Sequence, residues 1–178
     1  MKDDLRTVTN WLLSASSEVG REYFQLPVAE KEEPEYRERV YCYELYHQWR
    51  RHWDARFRYS LAGEIDKSGH PLIRGAPKPD FLVHVPGAME NLLVVEVKPA
   101  NASRESLRAD VAKLSYFTSD APAYAAGYLW IYGLSEDAWN AIRATIGTYA
   151  KDKKVDQAKV SCVLHEKNGE AAKIVSWG

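Results

Sequence analysis

Asp80, Glu96 and Lys98 are the residues of this chain whose types and spacing suit chemistry. Glu96 and Lys98 interrupt the apolar stretch NLLVVEVKPA, Asn91 to Ala100, with one Val between them. Side chains alternate along a strand, so Leu93, Val95 and Val97 share one face. Glu96 and Lys98 share the other, behind Leu92 and Val94. Charges placed there are costly unless paired, hydrated or bound to an ion. Asp80 opens the preceding apolar run, directly after Pro79. The link PGAMEN is short enough for an antiparallel hairpin, which sets the start of one strand beside the end of the next. Asp80 and Glu96 then share a face if the register is even, and point opposite ways if it slips by one. Two neighbouring carboxylates repel and do not both stay ionised without a cation. Carboxylate oxygens with water suit Mg²⁺ or Mn²⁺. A lysine beside them can orient or deprotonate a water, or neutralise phosphate charge. Metal-assisted phosphodiester hydrolysis uses those parts.

The elements that must position these groups follow from periodicity and punctuation. Apolar residues at Leu5, Val8, Leu12 and Leu13 give a helix from Asp4 to about Ser17. A connector broken by Pro27 and Pro34 leads to a long helix from Pro34 to about Trp53. There Pro34 and Glu35 suit the first turn, and Arg50 and Arg51 the last. Strands are expected at Phe57–Asp66, in PDFLVHVPG and in NLLVVEVKP, the last two stopped by prolines. Ser103 caps a helix to Thr118 with Leu107, Val111 and Leu114 as its stripe. YAAGYLWIYG is a fourth strand, and SEDAWNAIRATIGTYA a further helix opened by a Ser and two acids. Two short strands close the chain around the turn at Asn168-Gly169. The order α-α-β-β-β-α-β-α-β-β predicts an α/β fold, a mixed sheet flanked by helices.

Composition bounds the rest. At 178 residues, 46% hydrophobic and 28% charged, the chain fits one domain spanning 1–178 with a sizeable core. A net charge of -1 gives no global basic field, so nucleic-acid binding would need a local patch. Cys42 and Cys162 have no metal-type spacing, and fit a reducing compartment. The polar, acidic opening MKDDLRTVTN and the lack of an apolar run of about 20 residues lead to the expectation of a cytoplasmic protein that does not enter a membrane.

Pro79-Asp80 followed by Glu96-Val97-Lys98 resembles the motif of the PD-(D/E)XK nuclease superfamily. The surrounding elements, from about Glu35 to Tyr132, resemble its restriction-endonuclease-like core, αβββαβ. The resemblance divides the chain into an N-terminal helical extension (1–29), the core (34–133) and a C-terminal helix and strands (134–178). It implies Asp80 and Glu96 as ligands of Mg²⁺ or Mn²⁺, with the Val97 carbonyl completing the shell. Lys98 becomes the catalytic base or an electrostatic aid to the attacking water. Glu44, in the first core helix, matches a further acid of the family, and Lys113 matches a Lys or Gln position on the following helix. The implied activity is metal-dependent hydrolysis of phosphodiester bonds, in DNA before RNA. The alternative is a catalytically inactive module of the same fold that binds nucleic acid or a protein. A third reading is an unrelated interaction domain whose hairpin charges are surface decoration.

Other charges carry weaker signals. WRRHWDARFR places Arg50, Arg51, Arg56 and Arg58 among Trp49, Trp53 and Phe57. It reads equally as a phosphate-and-base surface or as a helix end with aromatics in the core. Lys67, His70, Arg74 and Lys78 form a basic loop ahead of Asp80. Arg50, Arg51, Lys67, Arg74, Lys78 and Lys113 are therefore the candidate nucleic-acid contacts. Glu64 is equally a third acidic ligand or a strand-end residue. Asp110 is expected to be a surface partner of Lys113. His47 and His84 fit structural hydrogen bonding better than the cleft. The N-terminal helix has two uses open to it, packing on the core or pairing two copies in a homodimer.

Overall fold

A computed structural model describes residues 1–63 and 78–177. Helix α1 (Lys2–Ser16) turns Val8, Leu12 and Ala15 into the core, so packing on the core is the use the structure shows for it. Its buried Thr9 hydroxyl is satisfied by Tyr128 Oη at 2.8 Å. A single turn, α2 (Arg21–Phe24), stands within the expected connector and buries Phe24. Leu26 and Glu35 then exchange two backbone hydrogen bonds of 2.8 and 2.9 Å. That pairing holds Glu35 extended, so helix α3 (Glu38–Arg51) begins four residues after Pro34 instead of at it. Glu38, not Glu35, is the acid of its first turn.

The strands are β1 (Ser60–Gly63), β2 (Phe81–His84), β3 (Asn91–Pro99), β4 (Ala126–Tyr132), β5 (Val160–His165) and β6 (Lys173–Val175). They form one mixed sheet in chain order. β1, β2 and β3 run antiparallel, β3, β4 and β5 parallel, and β6 returns antiparallel to β5. Parallel neighbours need crossovers. These are α4 (Arg104–Phe117) and α5 (Glu136–Asp152), opened by Ser103 and Ser135 side-chain caps of 3.1 and 3.2 Å. The chain is thus an α/β fold with a six-stranded mixed sheet flanked by helices.

Period-two alternation sorts the sheet into two cores. Leu93, Val95, Val97, Trp130 and Tyr132 meet α1 and α3 through Leu12, Tyr41, Leu45 and Trp49. Leu82, Val94, Leu129, Ile131 and Leu164 meet α4 and α5 through Val111, Leu114, Trp139 and Ile146. Each such side chain contributes about 1.5–3 kcal/mol on burial. Helix α4 lies close on β4 at Gly127, where an added Cβ would stand 3.3 Å from Leu114 Cδ2 and Thr118 Cγ2. Helix α4 also contacts β3. Among the described residues, no helix is long and apolar enough to cross a membrane.

A candidate carboxylate–lysine site

The β2–β3 register decides whether the acids can meet. Phe81 pairs with Val95 and Leu82 with Val94, so Asp80, in the bend just before β2, falls beside Glu96 at the end of the ladder. A register irregularity falls between Val83 and His84, beyond the acids, and leaves this match intact. Asp80 stands in the bend just before β2, and its Oδ2 accepts a 2.7 Å hydrogen bond from the Val97 backbone nitrogen.

Glu96 is 1% exposed. Its Oε2 accepts from Lys113 Nζ at 2.7 Å, while Oε1 is buried with no hydrogen-bond partner among the described residues. Lys98 Nζ donates to Glu38 Oε2 and to the Val97 carbonyl, both at 2.9 Å. Asp110 lies between the two lysines, 3.4 Å from each. It partners Lys113 as expected but is buried and shared with Lys98, because α4 turns that face onto the sheet.

The electrostatics follow from this crowding. Burial, opposed by the Val97 N–H and the Lys98 charge, lifts the Asp80 carboxyl to about 6. Burial first, and then repulsion from Asp80, push Glu96 well above the carboxylate range, against the pull of Lys113. Desolvation alone would depress Lys98, but Asp110, Glu38 and Asp80 outweigh it and hold the ammonium above its ordinary value. Lys113 is raised in the same way by Glu96 and Asp110 against desolvation. Their carboxylate partners favour the charged form of both lysines. When all groups ionise, four carboxylates face two ammonium groups, a formal excess of two negative charges.

A doubly charged cation suits that excess, and Glu96 Oε1 is an unspent acceptor beside Asp80. Among the described residues no three His, Cys, Asp or Glu side chains converge as a ready-made cage. Mg²⁺ commonly takes one or two carboxylates together with its own waters. Asp80 and Glu96 are the residues that could hold a hydrated Mg²⁺ or Mn²⁺.

Other expected residues fall differently. Glu44 accepts from Gln48 Nε2 at 2.5 Å, and Glu38, nearly two turns earlier on α3, is the helix acid that reaches Lys98. The Val97 carbonyl expected as a ligand accepts from Lys98, and its N–H holds Asp80. Trp49 is fully buried, and Trp53 and Phe57 pack on Trp11 at 5.3 and 5.1 Å, so these aromatics belong to the core. Arg51 pairs with Glu18, Arg56 with Asp54 and Arg58 with Glu90, which neutralises most of the basic cluster. Arg50 is exposed on α3. His47 is exposed, and His84 half-buried at the end of β2. Glu64, Lys67, His70 and Arg74 lie outside the described residues, and Lys78 within them.

Sequence reasoning did not single out Glu38 as a site residue. Its signal was a helix start obscured by the Leu26–Glu35 pairing. It also passed over His165, fully buried on β5, whose Nδ1 meets Tyr41 Oη at 2.6 Å; Trp130 Nε1 donates to the same oxygen at 2.8 Å.

No protein-family model, curated protein or solved structure matches the chain.

Proposed function

We propose that this chain is a divalent-metal-dependent nuclease, with α3-β1-β2-β3-α4-β4 as a restriction-endonuclease-like core and DNA as its first substrate. One observation carries the reading: the β2–β3 register brings Asp80, just before β2, beside Glu96 on β3, burial raises both carboxyls above their ordinary range, and among the described residues a buried Glu96 oxygen has no hydrogen-bond partner. Such a pair is costly to the fold without a positive partner, and costly carboxylates in a polar cluster mark function more often than stability.

Asp80 and Glu96 would hold Mg²⁺ or Mn²⁺. The bound ion would supply an activated water and screen the phosphate charge. The Val97 N–H fixes Asp80, and Lys113 fixes Glu96 from α4. Lys98 presents a permanent positive charge to the phosphodiester as negative charge develops on it. Glu38 and Asp110 hold that ammonium in place.

The ion pairs of Lys98 and Lys113 also satisfy much of the cluster without a metal. That observation favours the second reading, an inactive module of the same fold that binds nucleic acid or a protein. Cleavage of supercoiled plasmid and of single-stranded DNA, with and without Mg²⁺, separates them. Divalent-dependent cleavage that is lost in Asp80→Ala and Lys98→Ala supports the nuclease. Binding without cleavage in any divalent ion supports the module.

A further inference from the structure

Beside the carboxylate pair, on the α3 side, lies a pocket of about 320 Å³ lined by Cys42, Tyr43, Tyr46, Gly63, Asp80 and Phe81. Asp80 belongs both to this pocket and to the proposed site, so an occupant of the pocket lies beside that residue. Tyr43 is 61% exposed, one of the few large hydrophobic side chains of the described surface left so open. Tyr46 is half-buried, its ring stacked on Phe81 at 6.4 Å and 19°, with its hydroxyl tied to the Leu61 carbonyl. Tyr46 is thus a fixed wall, and Tyr43 an open ring face at its lip.

The same helical face carries charge at either end. Arg39, Tyr43, Tyr46 and Arg50 follow at spacings of four, three and four residues, which places them on one stripe of α3. Arg39 and Arg50 are exposed. They stand ~16 Å apart along the helix axis at 1.5 Å per residue. The exposed Arg50 guanidinium beyond two tyrosines matches a strand whose phosphates alternate with flat, stackable bases. A duplex keeps its bases stacked inside and has none to offer an exposed tyrosine. The Trp and Phe residues of WRRHWDARFR, by contrast, are spent in the core.

Resting on the nuclease reading, we infer that this α3 stripe binds single-stranded nucleic acid, with one base on Tyr43 in the pocket beside Asp80. The favoured substrate is then an unpaired strand or a frayed end. Stacking on one aromatic is worth about 1–3 kcal/mol by alanine substitution, or ~5-fold or more in affinity.

The test is fluorescence anisotropy of the full chain with labelled oligothymidylate, oligouridylate and a duplex, in Ca²⁺, beside single-strand cleavage in Mg²⁺. The side chain of Tyr43 is largely in solvent, so Tyr43→Ala should fold, and matched melting curves check this. Expected is tighter binding of either single strand than of duplex, weakened ~5-fold or more by Tyr43→Ala and kept by Tyr43→Phe. Binding and cleavage of single strands that Tyr43→Ala leaves unchanged overturns this inference and leaves Asp80 and Glu96 standing. A wild-type chain that neither binds nor cleaves any nucleic acid ends both.

Discussion

The backbone nitrogen of Val97 donates to Asp80 Oδ2 at 2.7 Å, fastening the residue before β2 to the residue between Glu96 and Lys98 on β3. This bond ties the Asp80 carboxylate to the backbone of β3. It also means that the strand pairing, and not a flexible loop, sets the geometry of that carboxylate.

Asp80 should weaken the metal-free fold. Its folded value of about 6 lies above the ordinary 3.8. A carboxyl raised by folding binds its proton more tightly in the native state. Ionised Asp80 therefore costs stability above pH 6, and the cost is relieved as pH falls from 6 towards 3.8. Asp80→Asn should stabilise the metal-free protein by about 2–3 kcal/mol at pH 7.5 and by little at pH 4. Urea unfolding at both pH values measures this; a variant less stable than wild type at pH 7.5 contradicts it.

Lys113 should matter to structure as much as to chemistry. Among the described residues its ammonium is the hydrogen-bond partner of the buried Glu96. Lys113→Met removes that partner from the buried carboxyl and lets its proton affinity rise further, at a cost of about 1–3 kcal/mol at pH 7.5. Urea unfolding measures the loss, and a variant as stable as wild type would show that Glu96 does not need the lysine.

His165 gives the opposite pH signature. Burial holds it down at about 4, against an ordinary 6.5. The neutral ring contributes stability that is fully present above pH 6.5 and is lost as pH falls from 6.5 to 4, ~3 kcal/mol in all. Asp80 and Glu96 push the other way in that window, so the difference between wild type and His165→Asn isolates the histidine. That difference should shrink as the solution is acidified; curves that stay parallel would contradict the assignment.

Much of the frame was legible from residue order. NLLVVEVKP alternates cleanly and ends at a proline, and β3 covers Asn91–Pro99 as expected. Ser103 and Ser135 cap α4 and α5 through side-chain bonds, as their positions before Glu-containing turns suggest. The register that brings Asp80 beside Glu96 was one of two open choices, and the Phe81–Val95 pairing decides it. The helix acid was not legible. Glu44 sits among aromatics that suggest a buried cleft, but α3 turns it towards Gln48. Glu38 gains its role from the Leu26–Glu35 pairing, a contact across the connector that no local pattern announces. The basic cluster was ambiguous for a like reason. Whether Trp53 and Phe57 face a ligand or Trp11 depends on where α1 docks, many residues away.

Close packing of α4 on β4 should be felt at the site. Gly127→Val would drive Cβ and its methyls into Leu114 and Thr118. Overpacking of this kind costs about 1–3 kcal/mol. Because the displaced helix carries Asp110 and Lys113, metal affinity should fall together with the melting temperature. A variant that melts early yet binds Mn²⁺ as wild type does would uncouple the helix from the site.

The central claim is that Asp80 and Glu96 share a divalent cation. Anomalous diffraction at the manganese edge from crystals soaked in Mn²⁺ tests it most directly. A peak in direct coordination with both carboxylates, absent from Asp80→Asn crystals, is the expected result. Saturating Mn²⁺ with no peak at that pair, and Glu96 still held by Lys113 alone, would contradict it.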